Sequence, residues 1–273
     1  MSQTKTYART LFLSDIHLGY KPTRIRELLD FLHGIDAERI VLVGDIVDGL
    51  SLAKRFFWSK EHTQVLRWLL ARRRAGSRLI YLPGNHDHSF ATFADLFHGQ
   101  LEVHREWVHK TARGERLLVV HGDQFDGDMT CPKWLELLGD GLYSFFVGVN
   151  GLLNNVRRSA GKHYWSLPEY LKLRTPRALR YIEHFEQTAV RHARTQGYDG
   201  IICGHIHRSK LCRIDGTLYA NTGDWVESCS ALVEDRSGEL HLWRWPHCAV
   251  TPVRLASPLV PLLSPRCEPR RLR

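Results

Sequence analysis

No stretch of this chain carries the ~20 uninterrupted apolar residues that a helix needs to cross a bilayer. The uncharged segment 141–156 comes nearest, with 16 residues broken by glycines, and is too short for an ordinary transmembrane helix. The six cysteines (131, 203, 212, 229, 248 and 267) form no CxxC pair and no tight framework. Neither a zinc ribbon nor a disulfide scaffold is therefore expected, and free thiols in a reducing cytosol fit better. The N-terminal MSQTKTYART is polar and has no secretory pattern, so the expected location is cytoplasmic. Internal repeats and low-complexity linkers are also missing. A chain of 273 residues without them is expected to build one large core with, at most, a modest insertion.

Acidic residues are in short supply, with 29 Asp+Glu against 38 Lys+Arg and a net charge of +9. This balance favours anionic partners: phosphorylated substrates, nucleic acid or an anionic membrane surface. Part of it is a tail, since Arg266, Arg270, Arg271 and Arg273 crowd the C-terminus, and residues 251–273 read as a loose basic extension.

The present residues alternate between two periods. Short β-branched and leucine runs at 11–13, 39–43, 79–82, 101–103, 117–120 and 200–203 read as strands. Between the early ones lie helical patterns, from Pro22 to about Leu32 and over 58–75, with Val65, Leu66, Leu69 and Leu70 on one face. Arg72, Arg73 and Arg74 at the end of the second helix suit its dipole. A short helix is expected over 90–97. Asp215-Gly216 and Ser237-Gly238 then mark two hairpins, 211–220 and 230–243. Strands alternating with helices, followed by hairpins, predict an α/β sandwich with mixed sheets.

Residues 129–196 interrupt this rhythm as a helical insertion. Thr175-Pro176 starts a helix whose Ala178, Ile182, Phe185, Ala189 and Ala193 form one apolar stripe. The insertion holds ten Lys or Arg against five Asp or Glu, a net +5, more than half of the chain's excess. Apolar sequence beside cationic sequence is the composition of a surface for an amphiphilic anion or an anionic membrane face. Arg157, Arg158 and Lys162 are its candidate substrate contacts. Trp134, Tyr143 and Trp165 are the stacking residues that a nucleic-acid substrate would use instead.

Five apolar runs end in oxygen and nitrogen donors: Asp15-x-His17, Gly44-Asp45-x-x-Asp48, Gly84-Asn85-His86-Asp87, His121-Gly122-Asp123 and Gly204-His205-x-His207. Each cluster alone is weak. Five directly after buried strands put carboxylate, amide oxygen and imidazole at one sheet edge, where ligands of open α/β sheets sit. That donor mixture suits Mn, Fe, Zn or Co. Two neighbouring divalent ions need a bridging carboxylate, and Asp45 is its central candidate.

This ordered set resembles the calcineurin-like metallophosphoesterase family over about residues 11–207. The resemblance implies a four-layer α/β/β/α sandwich over residues 1–250, with the 129–196 insertion as a cap. It implies one metal held by Asp15, His17, Asp45 and His207, and a second held by Asp45, Asn85, His121 and His205. It further implies a hydroxide between two divalent ions, manganese foremost, attacking phosphorus in line. His86 would stabilise the transition state or protonate the leaving oxygen, with Asp48 orienting it; an Asp in that place also suits a helix cap. Asp87 and Asp123 read as supports for ligands. Arg208, directly after the last motif, reads as a phosphate contact.

Within the family the chain is most similar to the group around UDP-2,3-diacylglucosamine pyrophosphatase, in size, in the Ser-Asp-Ile-His-Leu-Gly opening and in its helical insertion. The implied reaction cleaves a UDP-linked diacyl sugar to UMP and a lipid sugar phosphate, at or near the inner membrane face. The chain departs from that group at His86, where the lipid A enzymes carry Arg; Gly-Asn-His-Asp is the pattern of the wider family. Phosphodiesterase or phosphomonoesterase activity on other small esters, or on nucleic acid, is the alternative. A scaffold without chemistry is disfavoured, because every metal position holds a competent residue. Oligomeric state is not legible in the sequence.

Overall fold

A computed structural model describes residues 5–89, 101–126, 176–246 and 248–250, with backbone alone for Arg177 and 248–250. Its strands are β1 (Thr6–Leu13), β2 (Ile35–Val43), β3 (Arg78–Leu82), β4 (Glu102–Val103), β5 (Trp107–Lys110), β6 (Arg116–Val119), β7 (Gly200–Cys203), β8 (Lys210–Ile214), β9 (Thr217–Asn221), β10 (Ser230–Glu234), β11 (Leu240–Arg244) and β12 (Cys248–Val250). The helices are α1 (Ile25–His33), α2 (Gly49–Lys54), α3 (Lys60–Arg74) and α4 (Pro176–Thr195).

Two mixed sheets result. One runs β12-β11-β10-β1-β2-β3-β4, with β1 to β4 parallel, and the other runs β5-β6-β7-β9-β8, with β6, β7 and β9 parallel. The period of two along each strand explains how they stack. Phe12, Val41, Val43, Ile80 and Leu82 of the first sheet meet Leu117, Val119, Ile202 and Ala220 of the second, forming the core between them. Their neighbours Leu11, Leu13, Ile40, Leu42, Leu79 and Tyr81 point the other way, onto Leu28, Leu32, Val65 and Leu69 of α1 and α3. On the far side, Leu118, Ile201 and Cys203 pack on Ile182, Phe185, Ala189 and Ala193 of α4. The molecule is an α/β/β/α sandwich: the mixed sheets are those the alternation of patterns predicts, and the four layers are those the family resemblance implies.

All five residues of the predicted apolar stripe on α4 are buried. The 58–75 helix starts at Lys60, because Ser59 accepts from the His62 N–H and its own N–H donates to His62 Nδ1. Leu70 departs from its predicted inward face and is 45% exposed, leaving Val65 and Leu69 as that helix's buried leucine and valine contacts. Arg72 pairs with Asp36, so it fastens the helix to β2. Asp215 and Gly216 both take positive φ, +49° and +82°, as a two-residue hairpin requires. Short α2, β5 and β12 were not foreseen. Four residues of β5 with buried His109 between exposed neighbours carry no apolar alternation to read.

The cysteines whose side chains are described, Cys203, Cys212 and Cys229, are free thiols. Among the described residues no helix is long and apolar enough to cross a membrane. The expected 90–97 helix, the insertion before residue 176 and the tail from 251 lie outside the described residues.

Candidate metal centre

The loops after β1, β2 and β3 of the first sheet and after β6 and β7 of the second converge on the seam between the sheets. Those after β1, β2 and β7 are strained in the same manner. Asp15, His17, Asp45, His205 and His207 all have φ between +49° and +70°. Among the described residues, only Asp215 and Cys229 share this with them outside glycine. Such conformations cost ~1–3 kcal/mol each and persist where surroundings over-determine them. Here the loops hold one another: Asp15 N–H donates to Gly44 O (3.0 Å), His17 N–H to Asp45 O (2.9 Å), and Trp225 N–H to Asp15 O (3.1 Å).

The glycines of the motifs are spaces for the candidate ligands of neighbouring loops. A Cβ on Gly44, whose φ is +81°, would lie 2.1 Å from His121 Nδ1. One on Gly84 would lie 2.3 Å from Asp45 Oδ1 and 2.7 Å from His121 Nε2, and one on Gly204 would lie 2.4 Å from Asp15 Oδ2. The Gly-Asp, Gly-Asn and Gly-His pairs follow from this contact.

Among the described residues of these loops, three donor groups lie within mutual reach: Asp15, His17 and His207; His17, Asp45 and His86; and Asp15, Asp45 and His121. In the first, His207 Nε2 is 3.1 Å from Asp15 Oδ1 and 3.3 Å from His17 Nε2. Asp45 divides its oxygens. Oδ1 accepts the His86 backbone N–H at 2.9 Å, while Oδ2 lies 3.9 Å from His17 Nε2 and 3.4 Å from His121 Nε2. His121 donates Nδ1–H to the Val43 carbonyl at 2.9 Å, which leaves Nε2 as the nitrogen that offers a lone pair when the ring is neutral; that atom also faces Asn85 Oδ1 at 3.3 Å.

These contacts bring lone pairs together with few hydrogens between them, which a cation resolves. The fully buried Asp15 Oδ1 has no well-aligned hydrogen bond, its nearest donor being His207 Nε2 at 3.1 Å. Burial alone would raise the Asp15 and Asp45 carboxyls, yet both are held below their ordinary range, Asp15 chiefly by His207 and Asp45 chiefly by His121. Burial alone would lower the His121 imidazole, but Asp45 and Asp15 push it up to about 10. In the protein alone, protons offset these carboxylates. A divalent ion suits the same donors, and the mixture of carboxylate, amide oxygen and imidazole fits it.

Asp48 combines both roles that its sequence position allows. Oδ1 accepts the Ser51 N–H at 2.7 Å, capping α2, and meets His86 Nδ1 at 3.1 Å; Oδ2 meets His17 Nδ1 at 3.2 Å. Burial opposes ionisation of Asp48, but the His17 and His86 contacts hold its carboxyl well below the usual range. Burial likewise lowers His86, and Asp48 outweighs it, so the imidazole is raised. Asp87 is a buried strut, accepting Ile46 N–H at 2.7 Å and Gly84 N–H at 2.6 Å, and so ties two of the loops together. Asp123 departs from its expected supporting role: it is exposed and opens a 3-10 turn, Asp123–Phe125.

His205 stands outside the three donor groups. Its Nε2 meets Asp126 at 2.8 Å and 3.0 Å. Asp126 escaped the sequence reading, and its signal was a second Asp three residues after Asp123. Ser14, which bonds Asp15 and Gly223 O, and the buried Asp224 loop under Asp15 also went unread. Arg208 is partly exposed beside His207, whereas Arg157, Arg158 and Lys162 lie outside the described residues.

No curated protein sequence matches this chain. Among solved structures it is similar to a Vps29 variant from Entamoeba histolytica, with 14% identity, 86% of this chain and 89% of that one covered, and a TM-score of 0.45. It is similar to YfcE, a phosphoesterase from E. coli, with 15% identity, coverage of 89% and 96%, and a TM-score of 0.44. A novel archaeal phosphodiesterase shares 12% identity, with coverage of 85% and 97% and a TM-score of 0.43. The profile of the calcineurin-like phosphoesterases matches residues 8–209. That span runs from β1 through the loop after β7 and takes in every loop that meets at the seam; this chain belongs to the calcineurin-like phosphoesterase family.

Proposed function

We propose that this hydrolase of phosphoester bonds cleaves the pyrophosphate of UDP-2,3-diacylglucosamine, or of a similar lipid-linked or nucleotide diphosphate, with two divalent ions, manganese foremost. Asp15, His17, Asp45 and His207 would hold one ion, and Asp45, Asn85, His121 and His205 the other. Ions held there supply Lewis acidity to phosphoryl oxygens and bring the pKa of a water toward neutrality. The observation that carries the reading is the single oxygen Asp45 Oδ2, which faces His17 and His121 at 3.9 Å and 3.4 Å.

His86 acts through its remaining ring nitrogen. Asp48 takes Nδ1, so Nε2 is the atom that would hold a proton for the leaving oxygen, on a side chain that is 29% exposed. Asp48 orients this ring and His17 together, which keeps the proton donor in register with the metal ligands. Arg208 neutralises phosphate at the rim.

Substrate choice falls to residues 129–196. Their net +5, with Arg157, Arg158 and Lys162 flanking and following the uncharged 141–156 segment, suits a ligand that joins a diphosphate to apolar chains. The same surface would let a cytoplasmic protein rest on the inner face of the membrane. The test is UMP release from UDP-2,3-diacylglucosamine by purified protein with Mn²⁺, beside a panel of simple phosphodiesters and oligonucleotides. Release of UMP at a rate above every simple ester supports the lipid-linked substrate. Cleavage of a simple ester with no UMP release rejects it in favour of a general phosphodiesterase or phosphomonoesterase, a second reading favoured by His86 in the place where the lipid A enzymes carry Arg.

A further inference from the structure

His205 is aimed by Asp15 and by Asp126, a residue outside the five sequence motifs. Its backbone is in the left-handed region, with φ +70°, and its N–H is held by Asp15 Oδ2 at 3.0 Å. The ring Nε2 lies 2.8 Å and 3.0 Å from the two oxygens of Asp126. An ionised carboxylate only accepts, so Nε2 is the ring's N–H and Nδ1 is left with the lone pair. The His121 ring stands nearly edge-on at 5.2 Å, and the Phe185 ring of α4 lies at 6.1 Å with a 31° tilt.

Asp126 is in turn fixed from α4, where Tyr181 Oη–H donates to Asp126 Oδ1 at 2.6 Å. Two further contacts fasten this helix around the site. A Cβ on Gly122 would lie 2.9 Å from Phe185 Cζ, so α4 rests on the loop between His121 and Asp126. Beyond His207, Lys210 Nζ reaches Glu186 Oε2 of α4 at 2.5 Å. The last helix of the insertion therefore grips the His205–His207 loop from both ends.

We infer that Asp126 is a positioning residue that presents His205 Nδ1 to a metal ion, and that Tyr181 holds Asp126 in place, so that α4 sets the occupancy of one of two metal positions. Hydrogen-bond partners behind metal-ligating histidines commonly contribute 10–100-fold to metal affinity. The inference rests on the two-ion reading of the site, with His205 serving only the second ion.

The experiment is titration of metal-free protein with Co²⁺, followed by its visible absorption and by bound cobalt per chain. The native chain is expected to bind two ions. Asp126→Ala should leave one site unchanged and weaken the other by about 10–100-fold. Asp126→Asn keeps an acceptor for Nε2–H and should recover part of the loss. Tyr181→Phe should weaken the same site about 2- to 10-fold, the value of one hydrogen bond. A native chain that binds a single ion would overturn the two-ion reading and this inference together. Two native-affinity sites in Asp126→Ala, or equal weakening of both, would overturn the inference alone. If Asp126→Ala does not fold, the Asn and Phe variants decide it: unchanged affinity at both sites in each contradicts the positioning role.

Discussion

Because the candidate metal centre takes three loops from one sheet and two from the other, whatever clasps the sheets together also aligns the site. Glu234, at the end of β10 away from the centre, is such a clasp. Its side chain is fully buried. Oε2 accepts from Thr10 Oγ at 2.7 Å on β1 and from His109 Nε2 at 2.9 Å on β5 of the other sheet. Oε1 accepts from Ala112 N–H at 2.9 Å and from Arg9, and Arg39 stands 3.5 Å away. Burial alone would raise the carboxyl, but these contacts bring it from 4.5 to about 2. A depression of that size corresponds to ~3 kcal/mol of stability at neutral pH. The folded-state pKa is the lower one, so this stability is present above pH 4.5 and is lost as pH falls through about 2. Glu234→Gln, which keeps the shape and removes the charge beside two arginines, should therefore destabilise the metal-free protein by ~3 kcal/mol at pH 7. Urea unfolding of both proteins across pH 7 to 3 measures the gap. It should shrink to roughly half by pH 3, because the unfolded carboxyl is then largely protonated while the native one is still mostly ionised. A gap under ~1 kcal/mol at pH 7, or one that stays constant on acidification, would refute the reasoning.

Gly84→Ala places a Cβ 2.3 Å from Asp45 Oδ1, so it should abolish divalent-metal binding in calorimetry while leaving the far-UV circular dichroism unchanged. Metal binding at native affinity would mean that the loop has room for the methyl group. His86→Ala should keep its metal content by elemental analysis yet slow turnover by about 10²–10⁴-fold, most with poor leaving groups. Loss of metal in that variant would make His86 a ligand.

The strands and helices of the sandwich were legible as short apolar runs and 3–4-spaced stripes, but strands buried on both faces leave no alternation to say which face meets which layer, and the four layers came from the family resemblance. The five loops were legible because every candidate ligand lies within four residues of a buried strand end, and Gly44, Gly84 and Gly204 mark where the side chain of another loop comes close. Asp126 was not, because its partner His205 is 79 residues away in sequence. Glu234 was not either, since its partners lie on β1, β2, β5 and the turn after β5, and nothing in Ser-Ala-Leu-Val-Glu distinguishes a clasp from an exposed strand end. Asp48 shows the intermediate case, where a cap and a histidine partner were read as alternatives and one carboxylate does both through its two oxygens.

The most direct test of the centre is metal stoichiometry in Asp45→Asn. The native chain, stripped and reloaded with Mn²⁺, should carry two ions, and the variant should fall below one with its fold intact, since the amide cannot bridge two ions or offset their charge. Two tightly held ions in Asp45→Asn would contradict the account.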